Sequence, residues 1–237
     1  MEGKERNLLV NKVDVMLLKI YNRLLKHFGY QNWWPTIGNG NPKFEIIVGA
    51  ILTQQTSWKN VEKAIENLKN KNLLELKKLN KIPIKELEKI IRPSGFFKVK
   101  AKRLRSFLEF LIENYDGNLE EMFKESINEL RKNLLSIHGI GYETCDSILL
   151  YAGERPVFVV DAYTIRLCQR HPIMDSKDYE EIREFFERNL PKDVNLFKEF
   201  HALIVELGKN YCKTKPLCEK CPLRGDCNAI GVDNLSS

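Results

Sequence analysis

The sequence LLSIHGIGYETCDSILLY, residues 134–151, decides the interpretation of the fold. It predicts one helix that ends near Ser136 and a second that begins at about Tyr142, joined by a Gly-Ile-Gly turn. Glycine allows positive φ angles and lets the backbone approach a partner closely. Backbone amides at such a turn and at the start of the following helix can point together at a phosphate. The alternative is an ordinary interhelical turn in which the glycines serve packing alone.

Amphipathic helical periodicity covers most of the chain around this turn. Between Val10 and Phe28, apolar residues recur at intervals of three and four, which is the stripe of an amphipathic helix. Similar stripes occur at 44–52, 58–68, 104–112, 126–135, 144–152, 162–168, 179–190 and 194–207. The connections are short and contain Pro or Gly, which suits compact helix packing. We therefore predict an all-α fold with one lobe at 44–153 and a second made of 1–43 and 154–237.

The composition is that of a folded chain, because 43% of its 237 residues are hydrophobic and can bury a substantial core. No run of about 18 apolar residues occurs, and residues 1–9 are charged rather than built like a secretory signal. We therefore predict no membrane span, no export and a cytoplasmic location. The net charge of +6 permits a polyanionic partner but does not require one.

Four of the six cysteines have the spacing C-x5-C-x2-C-x5-C near the C-terminus: Cys212, Cys218, Cys221 and Cys227. In a cytoplasmic chain this pattern favours metal binding over a disulfide scaffold. Four thiolates so close in sequence can surround a tetrahedral zinc ion or a cubane iron-sulfur cluster. The other two, Cys145 and Cys168, occupy apolar helix positions and are predicted to be core residues.

A single aspartate stands out 20 residues after the second glycine of the turn. Asp161 follows the apolar stretch Val157–Val160, which has the composition of an isolated strand, and it precedes a helical stripe. Its simplest interpretation is an N-cap that accepts a hydrogen bond from a backbone N–H. An N-cap role and a chemical role for the carboxylate are compatible.

Together, the turn, Asp161 and the cysteine run resemble the endonuclease III-type helix-hairpin-helix DNA glycosylases, from about Phe44 to the C-terminus. The resemblance implies a two-lobed helix-hairpin-helix glycosylase fold with a C-terminal [4Fe-4S] cluster loop. It also implies a monomeric base-excision repair enzyme whose partner is double-stranded DNA with a damaged base. The resemblance implies that Asp161 is the catalytic carboxylate, which stabilises the positive charge that develops on the sugar as the N-glycosidic bond breaks. The hairpin residues that the resemblance places on DNA are Gly139, Gly141 and Thr144.

The sequence departs from endonuclease III two residues after Gly141. Bifunctional members of the family have a lysine there, whose amine attacks C1′ and forms a Schiff base that leads to strand cleavage. This chain has Glu143, and a carboxylate cannot form that imine. We therefore expect water to be the nucleophile in a monofunctional glycosylase. Glu143 is a second candidate catalytic residue that assists the water, or else a surface residue on the first turn of the helix.

The segment AILTQQTSW, residues 50–58, resembles the part of the family fold where a glutamine enters the duplex. That glutamine fills the gap left by a flipped nucleotide, and Gln55 matches it. The alternative is a solvated polar residue in a helix connection. Flipping costs about a few kcal/mol of stacking, and less for a damaged or mispaired base.

Three motifs that together contain every tryptophan resemble the 3-methyladenine DNA glycosylase III type: NWWP at 32–35, TQQTSWKNV at 53–61 and IRPSGFF at 91–97. A methylated purine such as 3-methyladenine is cationic, so it is already a good leaving group and needs selective stacking. Aromatic faces attract cations by roughly 0.5–2 kcal/mol. The candidate base pocket is therefore Trp33, Trp34 and Trp58, with core or interlobe packing as the alternative.

The resemblance favours an iron-sulfur cluster over zinc. The ligand run of endonuclease III is usually C-x6-C-x2-C-x5-C, so the first arm of this chain is one residue short. In the family this loop carries basic side chains to DNA phosphates, and Lys213 and Lys215 match them. The basic stretch at 98–105 is instead predicted to be the solvated face of a helix, and His138 and His201 to serve packing or hydrogen bonding.

Other functions fit parts of this pattern. A glycosylase without the lysine can also act on mismatched bases or on oxidised pyrimidines. A non-catalytic iron-sulfur DNA-binding protein would keep the hairpin and the cluster, although Asp161 and Gln55 argue against it. A redox protein centred on the cluster would leave the hairpin unexplained.

Overall fold

The structure is a computed structural model that describes residues 2–37, 40–171 and 173–227, with side chains from residue 13 onward. Its α-helices are α1 (Glu2–Phe28), α2 (Pro42–Leu52), α3 (Trp58–Asn70), α4 (Leu76–Lys81), α5 (Ile84–Ile90), α6 (Phe97–Tyr115), α7 (Leu119–Met122), α8 (Ile127–Ser136), α9 (Tyr142–Ser147), α10 (Ala162–Arg170), α11 (Tyr179–Asn189) and α12 (Val194–Asn210). A π-helical turn, Ile148–Ala152, continues α9, and 3₁₀ turns cover Arg92–Ser94 and Cys218–Lys220. The predicted all-α fold is confirmed, and no strand occurs in these ranges.

The chain divides into two compact units. We call residues 34–155 the hairpin unit, and residues 1–33 together with 156–237 the terminal unit. The sequence predicts that the hairpin lobe begins at residue 44, whereas the hairpin unit of this division begins at Trp34. The reason is that the ring of Trp34 packs on Trp58 and Tyr151, with centroid distances of 5.3 Å in both cases.

Helix α2 forms the centre of the hairpin unit, because every residue from Phe44 to Leu52 is buried. Pro42 occupies the first turn, and the side chain of Asn41 caps the helix by accepting hydrogen bonds from Lys43 N–H and Phe44 N–H. Its apolar surface packs against the π-helical turn, α3 and α6. A helix buried on all sides at the centre of a lobe supplies much of that lobe's hydrophobic stabilisation.

Helix α12 has the same central role in the terminal unit, where it packs against α10 and α1. Gly208 allows α10 to approach closely, since a Cβ atom at that position would overlap the ring of Tyr163. Phe158 stacks on Phe186 at 4.2 Å. The stretch Val157–Val160 is buried and is not assigned to a strand. This packing fixes the position of Asp161, which follows directly.

No helix in the described ranges is long and apolar enough to span a membrane.

Candidate functional site

The predicted hairpin lies between α8 and α9. Gly139 has a φ of +86°, and a Cβ atom there would overlap the side chain of Arg103, so both its backbone and its surroundings require glycine. Gly141 differs, because its φ is −95° and nothing lies within 4 Å of the position that a Cβ atom would take. Helix α9 starts there with no side-chain cap. Gly141 therefore faces open space, as a backbone that approaches a partner must.

A buried ion pair holds the hairpin in place. Arg131 on α8 donates to Asp146 on α9 through Nε at 2.7 Å and Nη2 at 3.1 Å, and the Asp146 side chain is fully buried. The same guanidinium lies over the ring of Tyr142, 5.3 Å from its centroid. A bidentate pair of this kind fixes geometry as well as contributing energy. No pattern in the sequence indicated this pair.

The other predicted hairpin residues have different environments. Thr144 is buried, and its hydroxyl accepts a hydrogen bond from Gln54 Nε2 at 2.9 Å. Glu143 is exposed on the first turn of α9. Gln55 is exposed in the loop between α2 and α3 and has a left-handed φ of +54°. Its side chain is therefore presented to solvent by a backbone conformation that costs a non-glycine residue roughly 1–2 kcal/mol.

Asp161 is the N-cap of α10, as its sequence position predicts. Its Oδ1 accepts from the Thr164 backbone N–H at 2.8 Å and from the Thr164 hydroxyl at 3.0 Å. Its Oδ2 lies 3.6 Å from His201 Nε2. Burial alone would raise the pKa of Asp161, but the nearby His201 and the Thr164 hydrogen bonds together lower it. The carboxylate is therefore both ordered and held in its ionised form.

His201 is the residue that sequence reasoning undervalued. It is 5% exposed on α12, and the edge of its ring meets Trp33 with centroids 5.9 Å apart. The ammonium of Lys209 lies 5.2 Å from the centroid of the Trp33 ring. The available signal was a histidine within the apolar stripe of α12, since a buried polar side chain needs a partner.

The three predicted pocket tryptophans are divided between the two units, and the pocket stays a prediction. Trp34 and Trp58 meet edge to face in the hairpin unit, where Trp34 also contacts Tyr151 and covers Gly49. These contacts give Trp34 a packing role. Trp33 belongs to the terminal unit and is the tryptophan beside His201. The tryptophan in the surroundings of Asp161 within that unit is therefore Trp33.

The four predicted cysteine ligands are thiols rather than disulfides, and they are partly buried at the end of the terminal unit. In the described part of the chain, no group of three or more His, Cys, Asp or Glu side chains could hold a metal ion. Burial raises the pKa of the Cys221 thiol, and the charges of Cys212, Cys227 and Cys218 raise it further. Four soft sulfur donors of this kind fit a tetrathiolate centre, and the cluster stays a prediction.

Helix α10 connects Asp161 to the cysteine loop. It begins after Asp161 and ends at Arg170, whose Nη1 donates to Cys212 Sγ at 3.4 Å and to the Lys213 carbonyl at 2.6 Å. One turn earlier, Arg166 Nη1 donates to the Cys212 carbonyl at 2.9 Å. The shortened first arm of the cysteine run is therefore fixed to α10. The side chains that the sequence places on DNA, Lys213 and Lys215, are exposed on this arm.

One exposed aromatic residue was not predicted from the sequence. Phe96 is 65% exposed and has a left-handed φ of +44°. It stands next to Gly95, whose φ is +66°, and close in sequence to the exposed Lys98. A large apolar side chain presented in this way beside a basic residue is suited to contact with nucleic-acid bases. The signal in the sequence was the Pro-Ser-Gly-Phe-Phe turn.

Comparison with known proteins identifies the family of the chain. Residues 48–192 match the model of the HhH-GPD superfamily, described as base excision DNA repair protein. A protein of Methanocaldococcus jannaschii named "Putative DNA repair glycosylase MJ1434" is 52% identical over 220 residues, which cover 92% of this chain and 97% of that protein.

Two solved structures resemble the fold. The H. pylori 3-methyladenine DNA glycosylase MagIII, bound to 1,N6-ethenoadenine, has a TM-score of 0.71 and 33% identity, covering 83% of this chain and 97% of its own. A trapped covalent intermediate of endonuclease III with DNA has a TM-score of 0.76 and 22% identity, covering 91% of this chain and 96% of its own. The second likeness concerns the fold alone. The chain belongs to the HhH-GPD superfamily of base excision DNA repair proteins and is an endonuclease III-like DNA glycosylase.

Proposed function

We propose that this chain is a monofunctional glycosylase that hydrolyses the N-glycosidic bond of an alkylated purine, such as 3-methyladenine, in double-stranded DNA. The observation that carries the proposal is the environment of Asp161. One of its oxygens is ordered by Thr164, the other lies 3.6 Å from His201, and its pKa is lowered despite burial. An ionised carboxylate in a water-poor site stabilises a developing positive sugar far better than it would in water.

The reaction needs little acid assistance if the base is a cationic purine. The bond from C1′ to the base nitrogen breaks, its electron pair leaves with the purine, and the purine departs neutral. Water adds to C1′, and its proton passes to Asp161 or to solvent. The products are the free base and an abasic site.

The residue at position 143 supports hydrolysis without strand cleavage. Glu143 stands at the start of α9, where bifunctional relatives of the endonuclease III type have a lysine. A carboxylate cannot attack C1′ to form an imine. Glu143 is exposed on the first turn of α9, where a carboxylate can orient water or complement the positive start of the helix.

Trp33 supports the choice of a cationic base. Its partly buried ring has a cation over one face, the ammonium of Lys209, and the electron-rich face of an indole attracts cations. The likeness to the H. pylori 3-methyladenine glycosylase, at 33% identity over most of both chains, points to the same class of substrate.

In this proposal, each unit has its own candidate DNA-binding residues. The uncapped start of α9 at Gly141 receives a backbone phosphate, and Gln55 enters the duplex where the nucleotide has left. Lys213 and Lys215 contact phosphates, while Phe96 is an additional candidate for stacking on a base. Cys212, Cys218, Cys221 and Cys227 would hold a [4Fe-4S] cluster, which supplies structural ligation to the loop that carries the two lysines.

A panel of duplexes tests the proposal. Each contains one methylated purine, one oxidised pyrimidine, or one uracil or thymine mismatch, and base release and strand cleavage are scored separately. We expect release of 3-methyladenine without strand cleavage. Release of another base would discard the alkylated-purine pocket, and cleavage coupled to release would contradict hydrolysis. No release from any duplex would favour the alternative, a non-catalytic iron-sulfur DNA-binding protein.

A further inference from the structure

The first turns of α6 carry two cations that point inward. The sequence predicts the basic stretch at 98–105 to be a solvated face, but Lys100 is 1% exposed and Arg103 is partly buried. Lys98 and Lys102, on the same helix, are exposed. Buried cations are costly unless they have partners, so the inward pair must have a structural reason.

Arg103 is bonded to the residue next to Gln55. Its Nη1 donates to Gln54 Oε1. The amide nitrogen of Gln54 in turn donates to the Gly139 carbonyl at 3.0 Å and to Thr144 Oγ1 at 2.9 Å. Gln54 therefore bridges α6, the loop that presents Gln55, and the hairpin turn, and all three hydrogen bonds lie within the hairpin unit.

The packing around the bridge is as specific as its hydrogen bonds. The stem of Arg103 occupies the space that a side chain at Gly139 would need, so the glycine of the hairpin and the arginine of α6 fit one another. Lys100 reinforces the same junction, because its Nζ donates to the Leu52 carbonyl at 2.8 Å and to the Ser94 carbonyl at 2.6 Å. The end of α2 is thus fixed two residues before Gln54.

We propose that Gln54 and Arg103 are positioning residues that join the Gln55 loop to the hairpin turn. The loop and the turn then form one rigid element, which both docks on a phosphate and inserts Gln55 into the duplex. The inference deepens the proposed function and rests on it. A side chain that enters a duplex must offset the cost of unstacking. A loop that is ordered before binding does not lose conformational entropy at that moment, and Gln55 is ordered in a left-handed conformation that an unsupported loop would leave.

The experiment compares substitutions that remove single bonds. Gln54→Glu keeps the shape of the side chain but removes the donor to Gly139 and Thr144. Arg103→Met keeps the stem that packs on Gly139 and removes the donor to Gln54. Lys102→Met is the matched control, because it removes one positive charge from the same helix without touching the bridge. Circular dichroism and melting of each variant establish that it is folded.

Insertion is measured without any chemistry, by the fluorescence of 2-aminopurine opposite a tetrahydrofuran abasic site in a duplex. We expect the wild-type protein to increase the fluorescence by unstacking the base, and Gln54→Glu and Arg103→Met to lose most of that change, as Gln55→Ala does. Their dissociation constants for undamaged duplex should stay within about threefold of the Lys102→Met control. The double variant should be no worse than either single variant, because both act on one network.

Base release gives the second measurement. The single-turnover rate should fall by about tenfold or more in the two bridge variants relative to Lys102→Met, since small misplacements of positioning groups are costly. Wild-type-like fluorescence in both bridge variants would overturn the inference, as would a parallel loss of insertion and of affinity for undamaged DNA. If Arg103→Met is unfolded, Arg103→Lys replaces it, with an intermediate loss expected. Failure of the wild type to release any base would contradict the proposed function alone, because the fluorescence test does not need catalysis.

Discussion

Two helices of this chain begin at the residues on which the proposed function depends, and they begin differently. Helix α10 is capped by the side chain of Asp161, which accepts hydrogen bonds from the Thr164 backbone N–H and hydroxyl. Helix α9 starts at Gly141 with no side-chain cap and with open space beside the glycine. At a capped helix start, the hydrogen bonds to the backbone hold the capping carboxylate in place. At a helix start with no side-chain cap, the backbone N–H groups remain for an anion from outside the protein. The same local element can thus serve chemistry at one place in a chain and docking at another.

The largest expected effect comes from removing the charge at the capped start. Asp161→Asn keeps an oxygen that can accept from Thr164, so the helix and the melting temperature should be preserved. The single-turnover rate of base release should fall by about 10²–10³-fold or more, because the charge that stabilises the sugar is lost. Stoichiometric binding to a lesion-containing duplex serves as the control. Full turnover by this variant would remove Asp161 from the chemistry.

A pair of glycine substitutions compares stability at the hairpin. Gly139→Ala should destabilise the fold by roughly 1–3 kcal/mol, because its positive φ is strained for alanine and Arg103 must move. Gly141→Ala is the matched control, with an ordinary φ and no neighbour to displace. Chemical denaturation of both variants measures the difference. Equal losses of stability in the two variants would contradict the positive φ of Gly139 and its close packing against Arg103.

The pH dependence of base release isolates the contribution of His201. Burial favours protonation of Asp161, and His201 and Thr164 reverse that tendency, so the folded-state pKa lies below the ordinary value. The stability that this ionised group contributes is therefore present above the unfolded pKa and is lost as pH falls through the lowered folded pKa. The acidic limb of the rate that arises from Asp161 should likewise lie below the pH range in which an ordinary aspartate titrates.

His201→Gln should move that limb to higher pH, because the buried carboxylate loses the partner that offsets its desolvation. Single-turnover rates across acidic and neutral pH, at saturating enzyme, make the comparison, with Asp161→Asn as the baseline. An unchanged limb in His201→Gln would mean that His201 serves packing alone, as its sequence position first suggested.

The smallest expected effect is at the cysteine arm. Lys213→Ala should weaken binding to all duplexes equally and should reduce the slope of log affinity against log salt by about one unit. Glu219→Ala, which removes an exposed charge of opposite sign in the adjoining 3₁₀ turn, is the control for nonspecific effects on the cysteine run. An unaltered slope in Lys213→Ala would exclude this lysine from the interface.

Local sequence patterns predicted the long helices well, because each is specified by its own apolar stripe. The N-cap position of Asp161 and the glycine turn at 139–141 are local for the same reason. The short helices α4, α5 and α7 were not predicted, since a segment of four to seven residues completes too few turns to display a helical period.

Contacts between distant residues could not be read from these patterns. Asp161 meets His201 because Gly208 lets α10 and α12 approach, and nothing in the neighbourhood of either residue in sequence indicates that approach. The bridge from Arg103 through Gln54 to Gly139 joins three separate segments. Periodicity assigned the cations of α6 to a solvated face, whereas tertiary packing turned two of them inward.

The division of chemistry and docking between the two helix starts is tested most directly on one 3-methyladenine duplex. The dissociation constant and the saturated single-turnover rate are measured for Asp161→Asn and Gly141→Ala side by side, and we expect opposite results. Asp161→Asn should keep the wild-type affinity and lose the rate. Gly141→Ala should lose affinity, because a methyl group enters the space of the phosphate, and keep the saturated rate. Loss of both quantities together in both variants would contradict that division.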